Sequence, residues 1–309
     1  LLSRTHSTFQ LTLVLVGLCF FGSMFITNDV SLLTFVPFTF VVLSRLGADV
    51  RRSLLIPVVC MQTIAANLGS MLTPIGNPQN LYLYGKSGMS IGGFVLLMLP
   101  YTLVSLLLLL AWAALVCRKA SAALSVDELV SSSASQGDQK IILLYLVLFA
   151  VCLLSVIRVL PYGIAFVAVL VCVLFADPHT LRAVDYSLLL TFVAFFIFIG
   201  NLGRIPAFSG WLQEFLTGRE VLVAVLASQV TSNVPAALLL SGFTAETQAL
   251  IIGTNLGGLG TLIASMASLI SYRQIARELP QGKKQYFGLF TLSNLIFLAI
   301  LLGVWFLLR

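Results

Sequence analysis

Polar residues recur in short clusters inside otherwise apolar stretches: Thr27, Asn28 and Asp29; Asn67, Thr73, Gly76, Asn77 and Asn80; Thr231, Ser232 and Asn233; and Asn255, Gly257 and Thr261. Apart from Asp29, none of these carries a fixed charge. Hydroxyls and carboxamides both donate and accept hydrogen bonds, so a ring of them can hold a cation and an anion together. Freed backbone carbonyls suit a sodium ion, and the N-terminal ends of half-helices suit an anion. Within this set Asn28, Asp29 and Asn233 are the candidate sodium ligands.

The elements that must position these groups are interrupted helices. In "ANLGSMLTPIGNPQNLYLYG", residues 66–85, Pro74 and Pro78 remove backbone donors and clash with the preceding turn, and Gly76 relaxes the chain. The spacing predicts an unwound segment over 72–79 in the middle of a span. The stretch 219–243 is too long for one crossing and breaks at Thr231-Ser232-Asn233 ahead of Pro235, which predicts two half-helices meeting at a polar tip. A matching break, Thr27-Asn28-Asp29-Val30, parallels Thr231-Ser232-Asn233-Val234 in the first half. Both read as re-entrant hairpins, a form allowed at membrane depth only where the backbone is buried in protein or lines a cavity. After each hairpin, "NLGSMLTPIGNPQNL" at 67–81 aligns without gaps over "NLGGLGTLIASMASL" at 255–269, with identities at Asn67/Asn255, Leu68/Leu256, Gly69/Gly257, Thr73/Thr261, Ile75/Ile263 and Leu81/Leu269.

Composition sets the solvent. Hydrophobic residues make up 59% of the 309 residues and charged residues 9%, against about 25% charged in soluble domains. The chain is therefore an all-α polytopic membrane protein embedded in a lipid bilayer. Apolar runs lie near 8–26, 92–117, 141–157, 162–176, 186–203, 246–270 and 286–308. The net charge of +6 is dispersed through short loops, which excludes a nucleic-acid face. Placing Arg4, Arg45, Arg51, Arg52, Arg118, Lys119, Lys140, Arg182, Arg273, Arg277, Lys283 and Lys284 in the cytoplasm, and Lys86, Arg158, Arg204, Arg219 and Arg309 outside, follows the positive-inside rule and requires 8–43 to begin and end in the cytoplasm. The Ser-rich linker 118–140 then separates a first repeat, 1–117, from a second, 141–309, of opposite orientation. Three spans precede the right-hand hairpin and none precedes the left-hand one, so about three N-terminal helices are expected ahead of this sequence.

Asp29 is the only carboxylate placed near mid-membrane, where a charge costs about 2.5–3.5 kcal/mol. It reads as a sodium ligand or protonatable coupling group, as the N-cap of the second half-helix, or as both. Arg204 either faces an anion or snorkels to the interface. Glu246 reads as a helix cap, Trp211 with Phe208 and Phe215 as an interfacial belt, His179 beside Pro178 as a turn residue, and Cys19, Cys60, Cys117, Cys152 and Cys172 as packing residues without metal spacing. No catalytic motif is present, so an enzyme is not expected, nor is a bound cofactor beyond a coupling sodium ion. A channel would need repeated filter elements, and each break occurs once per half.

At these residues the chain resembles the ion transporter superfamily, which includes citrate-transporter-like permeases, divalent anion:sodium symporters and arsenite efflux permeases. The resemblance rests on "TNDVSLLTFVPFT" at 27–39, "GSMLTPIGNPQNLYLY" at 69–84 and "SNVPAALLL" at 232–240, and extends over nearly the whole chain. Where the dicarboxylate branch carries Ser-Asn-Thr at both tips, this chain reads Thr27-Asn28-Asp29 and Thr231-Ser232-Asn233, and the acidic first tip is more similar to the arsenite-permease and citrate-like branches. The resemblance implies a secondary active transporter in a plasma membrane, the inner membrane in bacteria. It would move a small anion, a carboxylate or inorganic oxyanion, with sodium or protons. Each tip would join the neighbouring unwound loop in a cation site, with the substrate between the two. A scaffold that forms a homodimer and a transport domain that slides as an elevator are implied by the same resemblance. Sodium/proton antiport and arsenite-type efflux are the alternatives.

Overall fold

Runs of Leu, Val, Phe and Ile with few breakers fold as long helices in the computed structural model, where Pro78, Pro178 and Pro206 open helices and Pro37, Pro57 and Pro100 lie inside them. The structure describes residues 7–119, 139–182, 184, 186–202 and 204–309, so most of the 118–140 linker and Arg4 lie outside the described residues. The helices are α1 (Thr8–Ile26), α2 (Asn28–Ser44), α3 (Ala48–Ser70), α4 (Pro78–Ser87), α5 (Ile91–Lys119), α6 (Gln139–Val156), α7 (Tyr162–Ala176), α8 (Pro178–Arg182), α9 (Tyr186–Leu202), α10 (Pro206–Leu216), α11 (Glu220–Thr231), α12 (Asn233–Leu240), α13 (Thr247–Leu256), α14 (Met266–Glu278) and α15 (Lys283–Leu308). Among the described residues α1, α3, α5, α6 and α15 are long and apolar enough to cross a bilayer.

Two compact units result. One comprises 1–131 with 198–309, the other 132–197. This division by packing differs from the division into halves read from the sequence, because pieces of both halves pack into the larger unit. Within that unit α3 is buried almost all round, with α1, α2, α5, α14 and α15 against it. Its polar residues are therefore enclosed, and an enclosed amide must find partners or cost a few kcal/mol. The nitrogen of Gln62 finds them on both α1 and α2, Nε2 donating to Leu15 O at 3.1 Å and to Thr39 Oγ1 at 2.8 Å, while Oε1 has no partner among the described residues.

The second pieces of the interrupted helices exchange partners between halves. The helix α4, from the first half, packs on α12 and α13 of the second, whereas α14, from the second half, packs on α2 and α3 of the first. Side chains mark both seams. Tyr82 Oη and Ser241 Oγ lie 2.9 Å apart, Lys86 Nζ donates to Ser241 O, and Gln274 Nε2 donates to Leu32 O at 3.5 Å.

In the smaller unit α6 packs along α7, and most of their apolar side chains are left uncovered by protein. Cys152 is exposed on α6 rather than packed, while Cys19, Cys60 and Cys117 are buried as expected. His179 lies in the short helix α8 rather than in a turn, because Pro178 opens that helix where its missing N–H costs nothing.

Candidate functional site

The site is built from two helix breaks and two unwound turns. The first break is a single residue, Thr27, at φ 67°, ψ 155°, and the second is Ser232 at φ 76°, ψ 154°. Both lie in a region of backbone space that is essentially reserved for glycine. This shifts the expected register of the tips by one: Thr27 matches Ser232, and Asn28, the first residue of α2, matches Asn233, the first of α12. Runs of three polar residues carry no marker for the hinge itself, which is why the sequence alone misplaces it. Asp29 is likewise not the N-cap. Thr27 takes that place, its Oγ1 accepting from Val30 N at 3.5 Å, and Asp29 sits in the first turn with its N–H donating to Asn28 Oδ1 at 2.9 Å. One Asp29 carboxylate oxygen, Oδ1, is buried without a hydrogen-bond partner among the described residues.

The first unwound turn spans 71–77 rather than 72–79. Pro78 begins α4 instead of interrupting it, since a proline at the first helical position loses only a donor that would be unpaired anyway. Asn77 caps that helix, its Oδ1 accepting from Asn80 N at 2.9 Å. The second turn, between α13 and α14, ends at Ser265.

Four contacts occur twice, once at each tip, between residues paired in the alignment of 67–81 over 255–269. Asn28 N donates to Gly76 O at 3.0 Å, and Asn233 N to Ala264 O at 2.9 Å. Thr73 Oγ1 donates to Met24 O at 2.6 Å, and Thr261 Oγ1 to Gln229 O at 3.2 Å. A side chain at Gly69 would collide with Ser23 Oγ at 2.8 Å, and one at Gly257 with Ser228 Oγ at 2.6 Å. The fourth pair crosses between halves: Ser265 Oγ donates to Asn67 Oδ1 at 2.9 Å, while Asn77 Nδ2 donates to Asn255 Oδ1 at 3.1 Å. In that last pair each half supplies one asparagine from the end of its first helix piece and the residue that caps its second, and each meets its counterpart's opposite number.

Asparagines carry the network further. Asn28 Nδ2 donates to Asn67 Oδ1 at 3.1 Å, and Asn255 Nδ2 to Asn80 Oδ1 at 2.6 Å and Ile251 O at 2.7 Å. All six asparagines, Asn28, Asn67, Asn77, Asn80, Asn233 and Asn255, are buried. Asn67 Nδ2 has no partner among the described residues. The carbonyl of Gly76 receives Asn28, and its α-carbon is too close to Ser70 for any side chain.

The threonines fall at the margin. Thr231 is exposed and its Oγ1 turns back to Ala227 O at 3.0 Å, and Thr73 and Thr261 spend their hydroxyls on the preceding hairpin. Of the candidate sodium ligands, Asn28 Oδ1 already accepts from the backbone, Asn233 packs against Gly258, and Asp29 offers its free oxygen. Among the described residues no cluster of His, Cys, Asp and Glu suits a heavier metal. Sequence reasoning missed Ser70, Ser265 and above all Gln229, whose Oε1 accepts from Thr261 N at 2.9 Å. The signal for Gln229 was present: an amide one turn before a predicted break.

Interrupted helices joined through buried amides, in a chain this apolar, define the class as a polytopic membrane protein. The comparisons narrow the class: the profile described as citrate transporter matches residues 1–250, and the chain belongs to the citrate transporter family. It is 34% identical over 257 residues to the inner membrane protein YbiR of Escherichia coli, covering 81% of this chain and 66% of that one. It is 32% identical over 264 residues to the uncharacterized transporter MJ0456 of Methanocaldococcus jannaschii, covering 85% and 70%. A 46 kDa membrane protein of Mycobacterium leprae is 23% identical over 307 residues. The chain thus spans about two thirds of the length of the curated relatives it matches. It is an integral membrane protein of a family that carries small solutes.

Proposed function

We propose that this chain is the core of a secondary active transporter that moves a small anion, a carboxylate or inorganic oxyanion, with sodium or protons. The observation that carries the reading is the doubled contact at the hairpin tips, Asn28 N to Gly76 O and Asn233 N to Ala264 O. It ties each break to the unwound turn of its own half, and the Asn67–Ser265 and Asn77–Asn255 bonds then tie the halves to each other. Reciprocal contacts of this kind are what a twofold axis imposes. They support two inverted repeats, each with a re-entrant hairpin and an interrupted helix, enclosing a site at mid-membrane between helix ends of opposite polarity. A neutral lining suits a substrate whose charge is balanced by a co-transported cation. Movement of the site as an elevator, a homodimeric assembly and residence in a bacterial inner membrane belong to the same proposal, by kinship with the family.

The test is uptake by the purified protein in proteoliposomes of labelled citrate, succinate, phosphate, sulfate and arsenite, with and without an inward sodium or proton gradient. Gradient-driven uptake of one anion is the expected result, and the effective gradient names the coupling ion. A second reading, sodium/proton antiport, is favoured by one observation, the unpartnered Oδ1 of Asp29. Exchange of sodium for protons with no anion requirement selects it. Asp29→Asn separates the roles: unchanged cation and pH dependence of transport removes Asp29 from coupling under either reading.

A further inference from the structure

Unwinding a helix frees carbonyls, and in this protein several of them already face a side-chain amide. Asn80 Nδ2 lies 3.5 Å from Ser70 O, 3.4 Å from Met71 O and 3.2 Å from Thr73 O. Gln229 Nε2 lies 3.1 Å from Val225 O, 3.0 Å from Gly257 O and 2.9 Å from Leu259 O. A carboxamide nitrogen carries two hydrogens. In the first nest three carbonyl oxygens at the break meet two donors, a surplus of acceptors; in the second, Gly257 O and Leu259 O belong to the turn, while Val225 O is the carbonyl one helical turn before Gln229 on α11. Converging neutral carbonyls are the arrangement that replaces the hydration shell of a small monovalent cation.

The two amides reach their nests from different places. Asn80 stands on α4, after its turn, and the residue aligned with it in the second half is Ser268, a shorter side chain whose Oγ has no partner among the described residues. Gln229 stands on α11, before its turn, and the residue at the same place in the first hairpin is Met24, which has no donor. Each half fills its turn from the side the other leaves empty. The filling is thus a demand of the turn and not the relic of one shared residue. Gln229 is held in place on both sides: Oε1 takes Thr261 N, and Gly260, at φ 107°, passes so close that any side chain there would strike the amide.

We infer that Asn80 and Gln229 are tethered stand-ins for a cation, their N–H groups occupying the carbonyl nests of the two unwound turns, so that sodium does not bind at either turn in this chain. The consequence for coupling rests on the transporter reading above; the binding statement does not. It is tested by hydrogen exchange on the purified protein in sodium, potassium and N-methyl-glucamine salts of equal ionic strength, followed over 70–80 and 256–264. The wild type is expected to show no sodium-specific protection of either segment. Gln229→Ala and Gln229→Ser vacate the second nest, and with sodium tenfold above its Kd exchange over 256–264 should slow about tenfold, with 70–80 unchanged. Sodium-specific protection of either segment in the wild type overturns the inference, as does indifference to sodium in a vacated variant that melts like a folded protein. Should both variants fail to fold, the wild-type comparison decides alone. No substrate enters the measurement, so a protein that carries none of the tested anions still answers it.

Discussion

Thr27 and Ser232 hold the backbone in a region that costs about 1–3 kcal/mol for a residue with a side chain. The cost is tolerated because the next residue's N–H is captured, Asn28 by Gly76 O and Asn233 by Ala264 O, which leaves each hinge no other way to turn. Glycine would relieve the hinge but loses about 0.5–1 kcal/mol more conformational entropy on folding than alanine. Ser232→Gly should therefore melt at or above the wild-type temperature in detergent; a clear fall would mean that the Ser232 side chain contributes more than its backbone costs. Asn255 stands at the opposite extreme, a side chain whose every polar atom is used. Asn255→Ala strands Asn80 Oδ1 in a buried setting at about 1–3 kcal/mol and leaves Asn77 Nδ2 with only its bond to Ser70 Oγ at 3.2 Å. Asn255→Asp keeps the acceptor for Asn77 and sets an oxygen against Asn80 Oδ1. Thermal unfolding should place both variants well below wild type, whereas exposed Thr231→Ala should be nearly silent.

At the scale of elements, what was legible in the sequence is what breakers write directly. Pro74, Gly76 and Pro78 announce the first unwound turn, and Pro235 after a polar triplet announces the second hairpin. Boundaries were less legible, because Pro78 both ends an interruption and begins a helix, and only the cap on Asn77 distinguishes the two. The nests were the least legible: Asn80 reads as a candidate ligand and turns out to be a donor to backbone carbonyls, and the only sign of Gln229 is an amide one turn before the break, whose partners exist only once the turn folds over it. The smaller unit offers a test of local order that no ligand disturbs. Thr180 Oγ1 donates to Asp177 Oδ2 at 2.7 Å and Tyr145 Oη to the same oxygen at 3.0 Å, clasping α6 to the junction of α7 and α8. These hydrogen bonds, that from Thr180 first, hold the Asp177 carboxyl below the usual carboxylate range. A carboxyl lowered on folding stabilises above its unfolded pKa, and the contribution is lost as pH falls through the lowered value. The melting temperatures of wild type and Thr180→Val should thus stand apart at neutral pH and converge in acid. A gap independent of pH would assign the effect of Thr180 to packing.

For the whole molecule the decisive fact is reciprocity. The pair α4 on α12 and the pair α14 on α2 are the same seam seen from the two halves, and Asn67–Ser265 with Asn77–Asn255 is the same bond. A seam repeated in this way relates the halves by an approximate twofold operation, and the axis lies in the membrane plane if the repeats are inverted and along its normal if they are parallel. The loop from α2 to α3 and the loop from α12 to α13 are counterparts under that relation. If the repeats are inverted they open to opposite sides of the membrane, and if the halves are parallel they open to the same side. Ala48 and Ala245 are exposed at these two loops and touch none of the asparagine network. With the native cysteines replaced, Cys152 above all because it is exposed, Ala48→Cys and Ala245→Cys should react with an impermeant maleimide from opposite faces. Ala48→Cys should label in inside-out vesicles, as the arginines at 51 and 52 require, and Ala245→Cys in right-side-out cells. Labelling of both from one face would remove the inverted repeat and with it the mid-membrane meeting of opposed helix ends on which anion and cation are proposed to bind together. Labelling from opposite faces would leave the buried amides at the one depth where neither side of the membrane reaches them without a movement of the protein, which is the requirement of alternating access.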